Sequence, residues 1–323
     1  MIQFTVKNDT IHSLGEVEYL GVPYDRIKSG EVTTLPPNYD GWFPFMRMCY
    51  SLGDLGIVSG LFGALKQKYP SMKIAMPSKD YIQDFFKNSL SQWEYSPDHP
   101  ALDNLDIIYE NNPHIDYYFN KGEFDVIFTD HDRSYTSLSH DGEKVVSCDE
   151  PLTEQILRRF GFSDEEIERI DSKPKLYFSP EEVKAYDKII HKYMGDEPYG
   201  CLLFASRIPH LKGRWSFDHH LIEGSKEYHN KPVFYFSEFN LDQTEWSKRF
   251  PNSFNFADLD LTLREQIYIK SKALFNLSYQ AGITDASSGM GTQSIILCPY
   301  KSIRENCIRD SRYIYSDGRS KTI

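Results

Sequence analysis

The sequence predicts an α/β protein made of two parallel sheets covered by helices, with a short β extension at the N-terminus. Three observations point there. Short apolar runs alternate with stretches of helical spacing, the pattern of strands buried on both faces. The alternation begins near residue 43, closes near residue 178 and then starts again. The length, 323 residues, suits two domains or one large one, and the restart of the alternation favours two.

The first 42 residues stand apart. They hold one short alternating run, Ile2-Gln3-Phe4-Thr5-Val6, and end in the turn-rich Leu35-Pro36-Pro37-Asn38-Tyr39-Asp40-Gly41. From there Phe43–Tyr50 is expected as a strand, and 54–68 as one helix with Leu55, Val58, Phe62 and Leu65 on a single face. A strand at 72–76, a helix at 79–87, strands at 105–109 and 124–129, and helices near 151–160 and 163–170 complete the first series. The second series opens with a helix over 180–194, whose Pro180 sits at a position that tolerates proline. Strands at 200–205, 232–236, 273–277 and 294–297 follow, with helices at 262–272 and 284–290. The expected division is 1–42, 43–178 and 179–323, with two Rossmann-like domains facing a central cleft. Ligands then belong at the carboxyl ends of the strands.

Composition excludes several classes. Hydrophobic residues make up 40% and aromatic residues 15% of the chain, which is enough to bury a core and excludes wholesale disorder. The formal net charge of −11 makes a grip on a nucleic-acid backbone a poor expectation. No run approaches the 18 apolar residues of a membrane span, and Met1–Lys7 lacks the layout of a signal peptide. A cytoplasmic protein is expected, with peripheral membrane association still compatible. The five cysteines are scattered without a CxxC pair, so neither a disulfide framework nor a zinc site is expected. Cys49, Cys201 and Cys298 lie in apolar runs, as inert buried thiols do.

Three loops carry the candidate chemistry. After the first main strand comes Ser51-Leu52-Gly53-Asp54, with Asp54 expected at a helix N-terminus. As a bare residue it suits a helix cap first, and after that a carboxylate ready to take a proton from a bound hydroxyl. Residues 205–215 hold Ser206, Arg207, His210, Lys212 and Arg214 after the first strand of the second series. On its own this is a solvated basic loop or a phosphate cradle. Residues 280–292 join a strand to a helix, so the first helical amides are expected to face a ligand phosphate. Ser287, Ser288 and Gly289 are equally suited to close helix packing. Gly289-Met290-Gly291 closes a helix instead of opening one and is no dinucleotide fingerprint.

Several segments, in order, resemble the heptosyltransferase-like family 9 glycosyltransferases. They are Ser51-Leu52-Gly53-Asp54, Gly63-Ala64-Leu65-Lys66-Gln67-Lys68-Tyr69-Pro70 with Met72-Lys73-Ile74, Phe124–Phe128, Phe178-Ser179-Pro180-Glu181-Glu182 and Leu261-Thr262-Leu263-Arg264-Glu265. The resemblance implies a GT-B architecture, with the acceptor held mainly by the first domain and the nucleotide sugar mainly by the second. It implies inverting transfer with no obligatory metal and no cofactor beyond the nucleotide-sugar co-substrate. Asp54 matches the family's general base. Ser206, Arg207, Lys212 and Arg214, together with Gly282, Ile283, Thr284 and Asp285, match its donor-binding loops. Gly53, Asp130, His131 and Arg133 fall where the acceptor would be met. The chain departs from the family pattern at Gln280, where an acidic residue is usual, and at Asp285, where a histidine is usual.

The expected activity is transfer of a sugar from a nucleotide donor to a hydroxyl of a glycan or glycolipid. A nucleotide-sugar epimerase on the same fold, or a degenerate relative that binds a saccharide or partner without catalysis, are the alternatives. Asp130-His131-Asp132 also resembles the metal-binding DxD of GT-A glycosyltransferases, although its place in the first half suits acceptor contact better. Asp218-His219-His220 is expected on a solvated helix face.

Overall fold

The computed structural model describes residues 3–5, 18–19, 22–23, 38–46, 52–88, 102–124, 126–129, 151–203, 223–236, 247–279, 282–288, 290, 292–298, 311–315 and 320–322. In chain order the first part holds β1 (Gln3–Thr5), a small pair β2 (Glu18–Tyr19) and β3 (Val22–Pro23), then β4 (Trp42–Met46). α1 (Leu52–Ile57), α2 (Leu61–Lys68), β5 (Lys73–Pro77), α3 (Lys79–Asn88) and α4 (Asp103–Tyr109) follow. β6 (Tyr117–Phe119), β7 (Val126–Thr129), α5 (Leu152–Arg159) and α6 (Asp164–Arg169) complete it.

The second part runs from α7 (Pro180–Met194) through β8 (Gly200–Leu203), β9 (Val233–Phe236), β10 (Ser253–Asn255) and α8 (Leu263–Lys272). β11 (Phe275–Tyr279), α9 (Gly282–Ser287), β12 (Gln293–Cys298), β13 (Arg312–Tyr315) and β14 (Ser320–Thr322) end the chain.

Besides the β2–β3 pair, the described residues form two larger sheets, and their strand orders carry the functional information. The first sheet runs β1-β7-β4-β5-β6, all parallel except β1, which pairs antiparallel with β7. The N-terminal extension therefore does contribute a strand. The second sheet runs β10-β9-β8-β11-β12-β13-β14, parallel apart from β14. Its six parallel strands follow the order 3-2-1-4-5-6 in their own sequence, the Rossmann arrangement. In each sheet the chain reverses its winding at one point, between β4 and β7 in the first and between β8 and β11 in the second. Crevices for ligands open at the carboxyl ends of such strand pairs.

Core packing ties the two parts together. β4 contributes Phe43, Phe45 and Met46, and α1 and α2 contribute Leu55, Leu61, Phe62 and Leu65, to one buried cluster. That same cluster contains Ile267 from α8 and Ala286 from α9, both fully buried. The second sheet has its own apolar layers, one around Val233, Phe275, Leu277 and Ile295, the other around Cys201, Phe234 and Ile269.

Of the expected elements, one differs in type and one in continuity. Residues 105–109 form the helix α4, not a strand. Leu105, Ile108 and Tyr109 are buried at i, i+3, i+4 while Asp103 and Asp106 stay exposed, so the helical period prevails over the β-branched run. The expected helix 54–68 is two helices broken at residues 58–60. A side chain at Gly60 would meet the Lys173 carbonyl, and Ser59 Oγ accepts the Lys175 amide at 2.7 Å, so segment 172–175 crosses tightly over the break.

Candidate active site

Both points of reversed winding feed one place. β4 pairs with β7 up to Met46 and Thr129, and the chain leaving these strands leads to Asp54 and Asp130 respectively. β8 pairs with β11 up to Leu203 and Ser278, and the chain leaving these leads to Ser206 and Gly282. The first helices after β4 and β11 then meet. A Cβ on Gly282 would lie 2.8 Å from the Gly53 nitrogen, and a Cβ on Gly56 would lie 2.5 Å from the Ala286 Cα. Contacts at 53–282 and 56–286 mean that α1 and α9 lie side by side in the same direction, with their starts adjacent. Glycine at 56 and 282 permits this approach of backbone to backbone.

Asp54 is the third residue of α1, inside its first turn, so the capping position expected for it is corrected: the helix begins two residues earlier, at Leu52. α9 likewise starts at Gly282 and ends at Ser287, instead of running from 284 to 290. Gly282, Ile283, Thr284 and Asp285 therefore form a helical first turn.

Within that turn the side chains divide. Ile283 is half-buried against the first sheet's core. Thr284 is fully buried and its hydroxyl donates to Ser278 Oγ at 3.0 Å, which ties the first turn of α9 to β11. Ser288 Oγ donates to the Thr284 carbonyl at 2.6 Å and lies 2.8 Å from Ser294 Oγ, so the serines here do serve close packing. Of Asp54 and Asp285 the structure describes the backbone. Ser206, Arg207, Lys212, Arg214, Asp130, His131, Arg133, Gln280 and the Asp218–His220 segment lie outside the described residues.

Other sequence expectations find a structural role. Cys201 sits in the middle of β8, fully buried, and burial pushes its thiol up to about 12, the state of an inert sulfhydryl. Among the described residues no three metal-ligating side chains gather. The family-like segments at 178–182 and 261–265 prove to be helix starts with complete capping boxes. Ser179 and Thr262 accept the amides of Glu182 and Glu265, whose carboxylates accept the amides of Ser179 and Thr262 in return. Arg264, which the motif reading placed in a helix start without a role of its own, turns inward from α8. Its guanidinium donates to the Ile107 carbonyl at 2.7 Å, to the Tyr177 carbonyl and to the Glu182 carboxylate. The signal was present: Arg264 lies one helical turn before the buried Ile267, on the inward face of the helix.

No family model matches the sequence, and no curated protein matches it. Solved structures do resemble it. A glycosyltransferase family 9 protein from Veillonella parvula DSM 2008 superposes with a TM-score of 0.56 at 11% identity, covering 87% of each chain. The ADP-heptose lipopolysaccharide heptosyltransferase II of E. coli gives 0.47 at 10% identity, over 84% of this chain and 90% of that one. The iron-containing dodecameric glycosyltransferase TibC from enterotoxigenic E. coli H10407 gives 0.40 at 11%, over 84% of this chain and 63% of that one. At these identities the likeness is one of fold. The chain has the mixed α/β, parallel-sheet fold of the Veillonella family 9 glycosyltransferase, the GT-B fold.

Proposed function

We propose that this protein is an inverting glycosyltransferase that moves a sugar from a nucleotide donor to a hydroxyl of a glycan or glycolipid, in the cytoplasm and without an obligatory metal. The observation that supports it most is the contact between Gly53 and Gly282. It sets the first turn carrying Asp54 beside the first turn carrying Asp285, at the carboxyl ends of β4 and β11.

In this reading Asp54 accepts the acceptor hydroxyl proton as that oxygen attacks the anomeric carbon. The bond from that carbon to the donor phosphate breaks, and the nucleoside diphosphate leaves with both electrons. Arg207, Lys212 and Arg214, with Ser206, stabilise the charge that grows on the diphosphate. Gly282 and Ile283 offer backbone to the donor, while Gly53, Asp130, His131 and Arg133 meet the acceptor. Asp285 in place of the family's histidine puts an anion near that diphosphate, which favours a role in holding a donor hydroxyl. The same departure, with Gln280, supports a second reading: a relative that binds a saccharide without turnover.

Thermal unfolding against ADP, GDP, UDP, CDP and CMP, with and without magnesium, separates these. A nucleotide at ~100 times its dissociation constant raises stability by about 2.7 kcal/mol. A selective shift without magnesium supports transfer and names the donor base. A shift that requires magnesium overturns the metal-independent mechanism and points to Asp130 and Asp132. No shift with any nucleotide favours the binding-only reading. With a donor in hand, Asp54→Asn is expected to keep donor binding and abolish transfer.

A further inference from the structure

We propose that Arg264 is the positioning residue of the pivot between the two sheets, and that it sets whether a bound donor is passed to the acceptor or to water. The inference rests on the glycosyl-transfer reading for its chemistry, and on geometry alone for the pivot.

The chain passes from the first sheet's side to the second through Tyr177, Phe178 and Ser179 into α7. Arg264 meets this crossing from three directions. Nη1 donates to the Ile107 carbonyl of α4 at 2.7 Å, on the first sheet's side. Nη2 donates to the Tyr177 carbonyl of the crossing segment and lies 3.3 Å from Glu182 Oε2, while Nε donates to Glu182 Oε1 in the first turn of α7. The guanidinium carbon stands 4.6 Å from the centre of the Phe178 ring, and Glu110 lies 3.7 Å away at the end of α4. One planar cation thus holds two backbone carbonyls and a bidentate carboxylate, a fork that an ammonium cannot reproduce.

The site is buried, with 7% of Arg264 exposed, so these bonds are little diluted by water. Beside it the packing opens into a groove of about 450 Å³ bordered by Leu176, Tyr177, Phe178, Tyr268 and Met290. On that flank the Phe178 ring packs edge-on against Tyr268 of α8, with centroids 4.9 Å apart, and the Arg264 bonds add the polar tie from α8 to the crossing segment and to α4. On the other flank, Gly53 and Gly282 touch. Loosening Arg264 lets the first sheet rotate about the glycine contact. The acceptor then loses its alignment with the donor while the donor's own contacts, expected within the second half, stay intact. Misplacement of about 1 Å costs on the order of 100-fold in rate, and a widened cleft admits water.

The test compares Arg264→Lys and Glu182→Gln with wild type, at a temperature well below unfolding. Glu182→Gln keeps the capping box and the side-chain shape and serves if Arg264→Lys fails to fold; Glu181→Gln, an exposed neighbour, is the control. Nucleotide affinity is read by thermal shift, and products are separated into transferred and hydrolysed sugar. The expected result is unchanged nucleotide affinity, a raised acceptor KM, transfer slower by about 10- to 100-fold, and a larger hydrolysed share. Folded variants that keep the wild-type acceptor KM and product partition overturn the proposal. Small-angle X-ray scattering of the same proteins is the arm that does not depend on chemistry. The variants are expected to be more extended than wild type, and identical profiles overturn the pivot. If wild type itself transfers no sugar, the glycosyltransferase reading fails while the scattering still decides the pivot.

Discussion

Gly53 and Gly282 approach so closely that a methyl group at position 282 would stand 2.8 Å from the Gly53 amide nitrogen. They belong to the helices that follow β4 and β11, each a strand at which its sheet reverses winding. The contact is what turns two separate crevices into one candidate site. Its partner contact, Gly56 against Ala286, is tighter still, with Ala286 Cα, Cβ and N all within 2.8 Å of the position a Cβ would take.

Gly56→Ala is therefore expected to destabilise the protein more than Gly282→Ala. Inside a helix, alanine in place of glycine gains about 1 kcal/mol of propensity. At Gly56 the obstructing atoms are mainly backbone, which cannot swing away, and overpacking of this kind costs about 1–3 kcal/mol or more. Urea unfolding of both variants checks the order. A Gly56→Ala protein as stable as wild type would mean that α1 and α9 are free to separate.

The cap of α8 offers a cleaner measurement, because it lies at the surface and touches neither sheet's core. Thr262 Oγ1 accepts the Glu265 amide at 3.3 Å and donates to the Glu265 carboxylate at 2.7 Å. Thr262→Ala removes one side of the capping box and is expected to cost about 1 kcal/mol in chemical denaturation, with the fold unchanged. Thr262→Ser is expected to restore most of it. A serine variant as weak as alanine would show that the β-branched methyl, not the hydroxyl, is what holds the helix start.

Lys270 presents the opposite case, a polar group that stability would be better without. It is 2% exposed, and its Nζ has no hydrogen-bond partner among the described residues. Burial pulls its pKa below the ordinary 10.5, only partly offset by the nearby Cys201 thiol. Lys270→Met fills the same space without the amine and is expected to raise stability near pH 7 by about 1–3 kcal/mol. The sign of the pH dependence follows. Between the lowered folded pKa and 10.5 the unfolded chain binds more protons, so wild-type stability climbs with pH. The advantage of Lys270→Met should shrink between pH 7 and pH 10 in urea titrations. A constant or growing advantage would mean that the ammonium finds a partner in the folded state.

What the sequence made legible was periodic or punctuated. α7 occupies the expected residues 180–194, because Ser179, Pro180 and Glu182 mark its start and Gly195, at φ +60°, its end. The central strands were legible as apolar runs. Those missed, β6, β10, β13 and β14, are three or four residues long, too short for alternation to register. α4 was hidden by Ile107 and Ile108, two β-branched neighbours that mimic a strand. At the candidate site, the loops could be named from Asp54 and Gly282, but their contact could not. It depends on how two sheets dock, and nothing local to either glycine encodes that. Arg264 was read as part of a helix-start motif, and its role emerges only from the three segments that converge on it.

Those segments make acid the sharpest probe of the pivot. Partial burial pushes the Glu182 carboxyl up, but the Arg264 guanidinium, the Ser179 amide and the Tyr186 hydroxyl outweigh it and bring its pKa down to about 2 from 4.5. A carboxylate depressed in the folded state adds stability that is fully present above 4.5 and is lost as pH falls through about 2. Its side chain is 19% exposed, so water screens part of the interaction, and a contribution of about 1–2 kcal/mol is expected after that discount. Glu182→Gln cannot be protonated and should flatten the wild-type decline in stability between pH 5 and pH 2 by that amount. Urea midpoints across this range give the slope directly. Parallel declines in the two proteins would mean that the Arg264–Glu182 pair does not persist in solution, and the positioning role built on it would fall as well.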